Sequence, residues 1–158
     1  MIKFETVFRC KQELIFRKTH YYLRVPVIID TESRYNKPIS FIVDTGAFIT
    51  IINKETAIKN KIDLLPIKLK DLELGGFVGG TKVDLVEVPQ FIIGDRTITN
   101  VVVAIPQIDT TQNILGLNVL EYFNFHIDTD DNYIYFQDSN EYKIEDKYRC
   151  GEVLSLTS

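Results

Sequence analysis

No stretch of this chain approaches the roughly 18 consecutive apolar residues that a membrane-spanning helix needs, so no membrane partner is expected. The first ten residues are broken by Lys3, Glu5 and Arg9 and contain no apolar run of the kind a secretory leader carries. A cytoplasmic location is the expectation. Cysteine is scarce: Cys10 and Cys150 stand near opposite ends, with nothing at metal-ligand spacing beside them. Two free thiols in a reducing compartment are the expected state, and a disulfide joining the ends is the alternative. No metal and no cofactor is expected. Excess charge of one sign is also lacking. Lys plus Arg is 18, Asp plus Glu is 22, and the net charge of −4 argues against a nucleic-acid surface as the main business. Internal repeats and low-complexity stretches are absent. His20 and His126 have no Ser or Cys partner pattern and read as surface or core residues.

What is present is the balance of an ordinary globular protein, 45% hydrophobic and 25% charged over 158 residues. That length fits a single domain, 1–158, able to bury a core without staples. Strands dominate the pattern. Residues 22–29 and 39–43 are β-branched apolar runs separated by a polar turn with Asn36 and Pro38. Residues 48–52 look extended. Asn53 is a plausible N-cap for a short helix over 54–61, with Glu55 in its first turn. Residues 69–74 and 83–88 alternate on either side of a glycine cluster, which reads as a hairpin with a flexible tip. Residues 89–93 and 96–105 form a strand pair across Gly94-Asp95. A second short helix is expected over 117–123, and a last hairpin joins 125–128 to 133–137. The fold class is mostly β: a closed or partly closed β-barrel with one or two short helices.

The chemistry centres on Phe41-Ile42-Val43-Asp44-Thr45-Gly46-Ala47. A carboxyl at the end of an apolar strand sits where water is scarce, which disfavours its charged form, as does a second carboxyl nearby. A pair of such groups can activate water by general acid–base chemistry, without a nucleophilic side chain or a metal. Thr45 offers a hydroxyl to lock the loop, and Gly46 lets main-chain groups approach the carboxylate. The tripeptide alone is also an ordinary turn sequence.

Three elements in order change that balance. The first is the apolar strand entering Asp44-Thr45-Gly46-Ala47. The second is Leu74-Gly75-Gly76-Phe77-Val78-Gly79-Gly80. The third is Asn113-Ile114-Leu115-Gly116-Leu117-Asn118-Val119-Leu120. Together they resemble the retropepsin-like aspartic proteases, the single-lobe relatives of pepsin typified by retroviral proteases. The resemblance covers about 22–137, leaving extensions at both ends. It implies an acid-protease barrel and an aspartic endopeptidase acting on a peptide or protein substrate, with Asp44 as the catalytic carboxyl and Thr45 and Gly46 supporting the active loop. Ala47 and Gly75, Gly76, Phe77, Val78, Gly79 and Gly80 would contact substrate, the glycine-rich segment as a mobile flap. Ile114, Leu115 and Gly116 would pack behind the loop. The chain has one Asp-Thr-Gly, because Asp109-Thr110 and Asp128-Thr129 lack the glycine, so a homodimer would supply the second aspartate. Residues 2–8 and 153–156 are candidate interface strands. A catalytically silent peptide-binding or scaffolding domain of the same fold is the alternative.

Phe48 departs from the family, which often has Ser or Asp there. An aromatic at that place could close part of a pocket or fill the core. Asp128, Asp130 and Asn132 alternate as in a calcium loop, but Tyr133 and Ser139 stand where Gly and Glu are required, so a charged hairpin tip is expected instead.

Overall fold

The structure is a computed structural model, and it describes residues 2–5, 12–13, 18–19, 23–31, 37–74, 81–108, 112–128 and 133–138. Cys10, Cys150, the hairpin tip 129–132 and the C-terminal candidate strand 153–156 lie outside the described residues.

In chain order, β1 (Ile2–Glu5) is followed by the two-residue strands β2 (Gln12–Glu13) and β3 (Lys18–Thr19), which pair with each other. Next come β4 (Arg24–Asp30), β5 (Ile39–Val43), β6 (Thr50–Ile51), α1 (Lys54–Lys59) and a 3-10 turn at Ile62–Leu64. Strands β7 (Ile67–Glu73), β8 (Lys82–Ile93), β9 (Arg96–Pro106) and β10 (Ile114–Leu115) precede α2 (Leu117–Leu120). Strands β11 (Phe123–Asp128) and β12 (Tyr133–Asp138) end the described fold.

The main sheet runs β4-β5-β10-β6-β9-β8, and a further pairing of β4 with β8 joins its ends, so six strands close into a barrel. Closure removes the exposed edges that an open sheet must protect. Strand β8 has two neighbours on its free side. Lys82, Val83, Leu85 and Val86 pair with β7, whereas Gln90, Phe91 and Ile92 pair with β4. Strand β9 pairs with β8 along its whole length.

The ribbon β8–β9 folds over at one place. Val86 and Val88 face the main core, and so do Phe91 and Ile93, although the parity of the positions changes between them. On β9 the same change separates Ile98 from Val101, Val103 and Ile105. The register does not slip, since Val88 pairs with Val101 and Gln90 with Thr99. At the fold stand Pro89, which has no N–H to give to a ladder, and Asn100, whose φ of 56° lies in the left-handed region. Both strands thus turn over together, and the ribbon makes a barrel corner without an inserted residue.

The barrel interior is one apolar cluster. Phe41 and Phe91, both fully buried, meet with ring centroids 5.7 Å apart. A smaller cluster, with Ile49, Ile51, Leu74, Val83, Leu85, Val102 and Ala104, lies on the other face of the sheet. Strand β9 is therefore apolar on both faces, which explains its unbroken run 101–105. The sheet β1-β12-β11 covers the barrel, with Phe123, Ile134 and Phe136 in the main cluster.

Several expectations need correction. The segment read as a strand over 89–93 is the second half of β8, which begins at Lys82. The extended stretch at 48–52 is strand only at Thr50–Ile51. Helix α1 stops at Lys59, because Lys61 has φ 57° and opens the 3-10 turn. Helix α2 stops at Leu120, not at 123: Phe123 starts β11, and its ring sits 5.3 Å from that of Phe136. Strand β1 pairs antiparallel with β12 of its own chain, Ile2 opposite Phe136, and takes the edge of that sheet.

Candidate active site

Strand β5 delivers Asp44. Its residues Ile42 and Val43 pair in parallel with Ile114 and Leu115 of β10. The ladder continues one step further, since the Asp44 N–H donates to the Leu115 carbonyl at 3.1 Å. The position of Asp44 is thus set by the sheet. Beyond it the chain turns: the Ala47 N–H reaches the Asp44 carbonyl at 3.3 Å, and the Gly46 N–H donates to Asp44 Oδ1 at 2.8 Å. A Cβ at Gly46 would lie 3.2 Å from that same oxygen, so glycine keeps the approach of backbone to carboxylate open. Within one chain Asp44 is half-buried, while Thr45 and Gly46 are exposed. The carboxyl is therefore less enclosed than an apolar strand end suggests, because β5 hands it to an outward-facing loop.

The loop is clamped from behind by Gly116 and α2. A Cβ at Gly116 would come within 2.5 Å of the Ile49 carbonyl carbon and 2.9 Å of the Thr50 nitrogen. No side chain fits there, which is the close packing expected of this glycine. The first free N–H groups of α2 then point at the loop. Leu117 donates to the Ala47 carbonyl at 2.8 Å and Asn118 to the Phe48 carbonyl at 3.1 Å. Donors that a helix start leaves unpaired are satisfied by the loop they hold.

Two residues that the sequence reading did not single out lock this clamp. Asn118 Oδ1 accepts from the Thr50 N–H at 2.8 Å and from the Thr50 hydroxyl at 2.9 Å. Asn118 Nδ2 donates to the Val102 carbonyl at 2.8 Å, and the Gly116 N–H donates to Thr50 Oγ1 at 3.1 Å. Both side chains are buried. The available signal was a lone polar residue in each of two apolar runs, Phe48 to Ile52 and Leu117 to Leu120. Asn113, just before β10, binds the Asn53 N–H at 2.9 Å and so ties α1 to the same strand.

The structure brings Asp44, Thr45, Gly46 and Ala47 together with Ile114, Leu115 and Gly116. Gly75, Gly76, Phe77, Val78, Gly79 and Gly80 lie outside the described residues. The strands flanking them do pair, Glu73 opposite Lys82. Among the described residues no group of three or more His, Cys, Asp or Glu is placed to hold a metal ion, and no helix is long and apolar enough to cross a membrane. A surface concavity of about 340 Å3 lies elsewhere, lined by His126, Asp128, Tyr135 and Gln137 of β11 and β12.

Comparison with known proteins gives the family and the fold. The family model of gag-polyprotein putative aspartyl proteases matches residues 34–122. Among solved structures, a retropepsin-like aspartic protease from Rickettsia conorii is 26% identical, with a TM-score of 0.56 over 73% of this chain and 82% of that one. The EIAV protease in complex with an inhibitor is 20% identical, with a TM-score of 0.52 over 63% of this chain and 86% of that one. The retroviral protease-like domain of Ddi1 from Leishmania major is 20% identical, with a TM-score of 0.50 over 77% of this chain and 98% of that one. A search of curated proteins returns no match. The barrel is of the retropepsin type.

Proposed function

We propose, for a chain that belongs to the family of gag-polyprotein putative aspartyl proteases, that it is an aspartic endopeptidase whose active site forms when two copies meet. The observation that carries this reading is the clamped loop, which presents a half-buried Asp44 outward with its Oδ1 bonded by the Gly46 N–H. The sequence has a single Asp-Thr-Gly, so a twofold axis through the loop is the economical source of a second carboxyl. Thr45, exposed in one chain, would bond across that axis and brace the paired loops.

Two carboxyls about 3 Å apart cannot both ionise and share a proton, a general property of aspartic proteases. The charged member takes a proton from water as the water oxygen attacks the peptide carbonyl carbon. The protonated member donates to the carbonyl oxygen. Collapse of the tetrahedral intermediate breaks the C–N bond, and the proton taken from water passes to the leaving amine. The carboxylate that gave up its proton takes one back from an intermediate hydroxyl, which leaves the acid product and restores the shared proton. Ala47 would line the base of the cleft. The segment Gly75 to Gly80 would close over an extended peptide bound by strand-like main-chain hydrogen bonds.

The test is cleavage of a diverse peptide library by the wild-type protein and Asp44→Asn, scanned from acidic to neutral pH. Cuts made by the wild type and absent from a folded variant are the expected result. Cleavage retained in the variant would remove Asp44 from the mechanism. A folded dimer that cuts nothing at any pH would point to a peptide-binding domain of the same fold or to an enzyme that needs one dedicated substrate.

A further inference from the structure

We infer that Phe48 determines specificity: its ring forms an apolar wall beside Asp44 that takes an apolar side chain of a bound peptide. This rests on the reading of the clamped loop as the floor of a peptide cleft. The side chain does not fill the core. Phe48 is 50% exposed, while the next two residues, Ile49 and Thr50, are 3% and 0% exposed. Neither apolar cluster includes it.

The backbone that carries the ring is fixed. The Phe48 carbonyl accepts the Asn118 N–H at 3.1 Å, and the Ala47 carbonyl before it accepts the Leu117 N–H at 2.8 Å. Thr50, two residues on, is held by the buried Asn118 side chain. The backbone beneath the ring has little freedom left to lose when the ring is covered, so ordering of the loop adds little to the entropic cost of contact. The other large apolar side chains left exposed among the described residues are elsewhere. Ile58, Leu64 and Ile67 belong to α1, the 3-10 turn and β7, and Ile108 follows β9. Phe48 alone among these shares the loop of Asp44. A phenyl ring has no hydrogen-bonding group, so it favours an aliphatic or aromatic side chain and disfavours a charged one. In an extended peptide, side chains alternate, so a fixed ring meets one position of the peptide and leaves its neighbours unread.

Binding tests this separately from catalysis. The affinity of randomised short peptides is measured for Asp44→Asn protein and for Asp44→Asn carrying Phe48→Ser or Phe48→Leu, together with the mass of each in solution. Phe48→Ser is expected to weaken peptides with Leu or Phe at one position about tenfold. Peptides with Ser there should be unaffected, and Phe48→Leu should restore most of the preference. An unchanged profile in Phe48→Ser overturns the inference. So does equal weakening of every peptide together with a fall in mass, which would make the ring a contact between copies. Cleavage by the otherwise wild-type protein is read apart. A Phe48-dependent preference without any cleavage would uphold the subsite while removing the peptidase reading.

Discussion

Asn118 and Thr50 illustrate how two buried polar side chains can fix the loop that carries Asp44. Asn118→Ala would leave the Thr50 N–H, the Thr50 hydroxyl and the Val102 carbonyl to find new partners in a site closed to water. Each buried group left unpaired costs about 1–3 kcal/mol, so a loss of about 3 kcal/mol or more is expected in urea denaturation, with peptide cleavage falling too because the loop loosens. A loss under about 1 kcal/mol would mean that the network is not the clamp described. Tyr122 offers a pH test. Burial against the main core holds its hydroxyl above the ordinary phenol range. The unfolded chain therefore ionises first as pH rises past about 10, and the folded state has its full contribution from Tyr122 below that value. That contribution is lost as pH climbs towards the folded pKa. Stability measured through the alkaline range should fall less steeply in Tyr122→Phe than in the wild type. At this scale Gly116 was legible, because a glycine after two apolar residues is part of the family pattern. The Asn118 network was not, because its partners lie 68 and 16 residues away.

Element by element, the local signals worked where the cause was local. Asn53 was read as an N-cap, and its side chain accepts the Thr56 N–H at 2.7 Å. Asn53→Ala should cost about 1 kcal/mol in chemical denaturation. Its own N–H would keep the bond to Asn113, so an effect far above that would show that the cap does more than start α1. The Glu55 to Lys59 pair on the same helix is exposed and contributes little. Lengths were less legible than types. Leucine, valine and phenylalanine over 117–123 suit a helix, yet Phe123 leaves it because the Phe136 ring waits across β11–β12. The fold at Pro89 and Asn100 was likewise hidden. A proline reads as a strand boundary from sequence, whereas here β8 continues through it with a new neighbour on its free side.

The whole barrel is closed by the antiparallel pairing of Ile28 with Ile92, Ile29 with Phe91 and Asp30 with Gln90, and the Asp44 loop lies between strands that the closure holds in place. Beyond the single chain, the proposed dyad makes a prediction that no one-chain site shares. Adding Asp44→Asn protein to a fixed amount of wild type should lower cleavage as subunits exchange, to about half at equal amounts, because mixed dimers carry one carboxyl. Activity indifferent to the added variant would place the whole site within one chain. The described part of the N-terminal extension gains a role at this scale too. Strand β1 adds to β12 instead of standing apart, and extends the sheet that covers the barrel.

The sequence by itself determined the β-rich class, the cap at Asn53, the place of Asp44 at the end of an apolar strand, and the three-element order that marks the family. Those properties depend on alternation, on short-range turn chemistry and on spacing, all of which are local in the chain. Only the tertiary structure decided that Asp44 is half-buried in one chain, that Phe48 faces outward, that Asn118 anchors the loop, and that β8 and β9 turn over together at Pro89 and Asn100. Each depends on which distant segment fills the space beside a residue, and that is settled when the barrel closes.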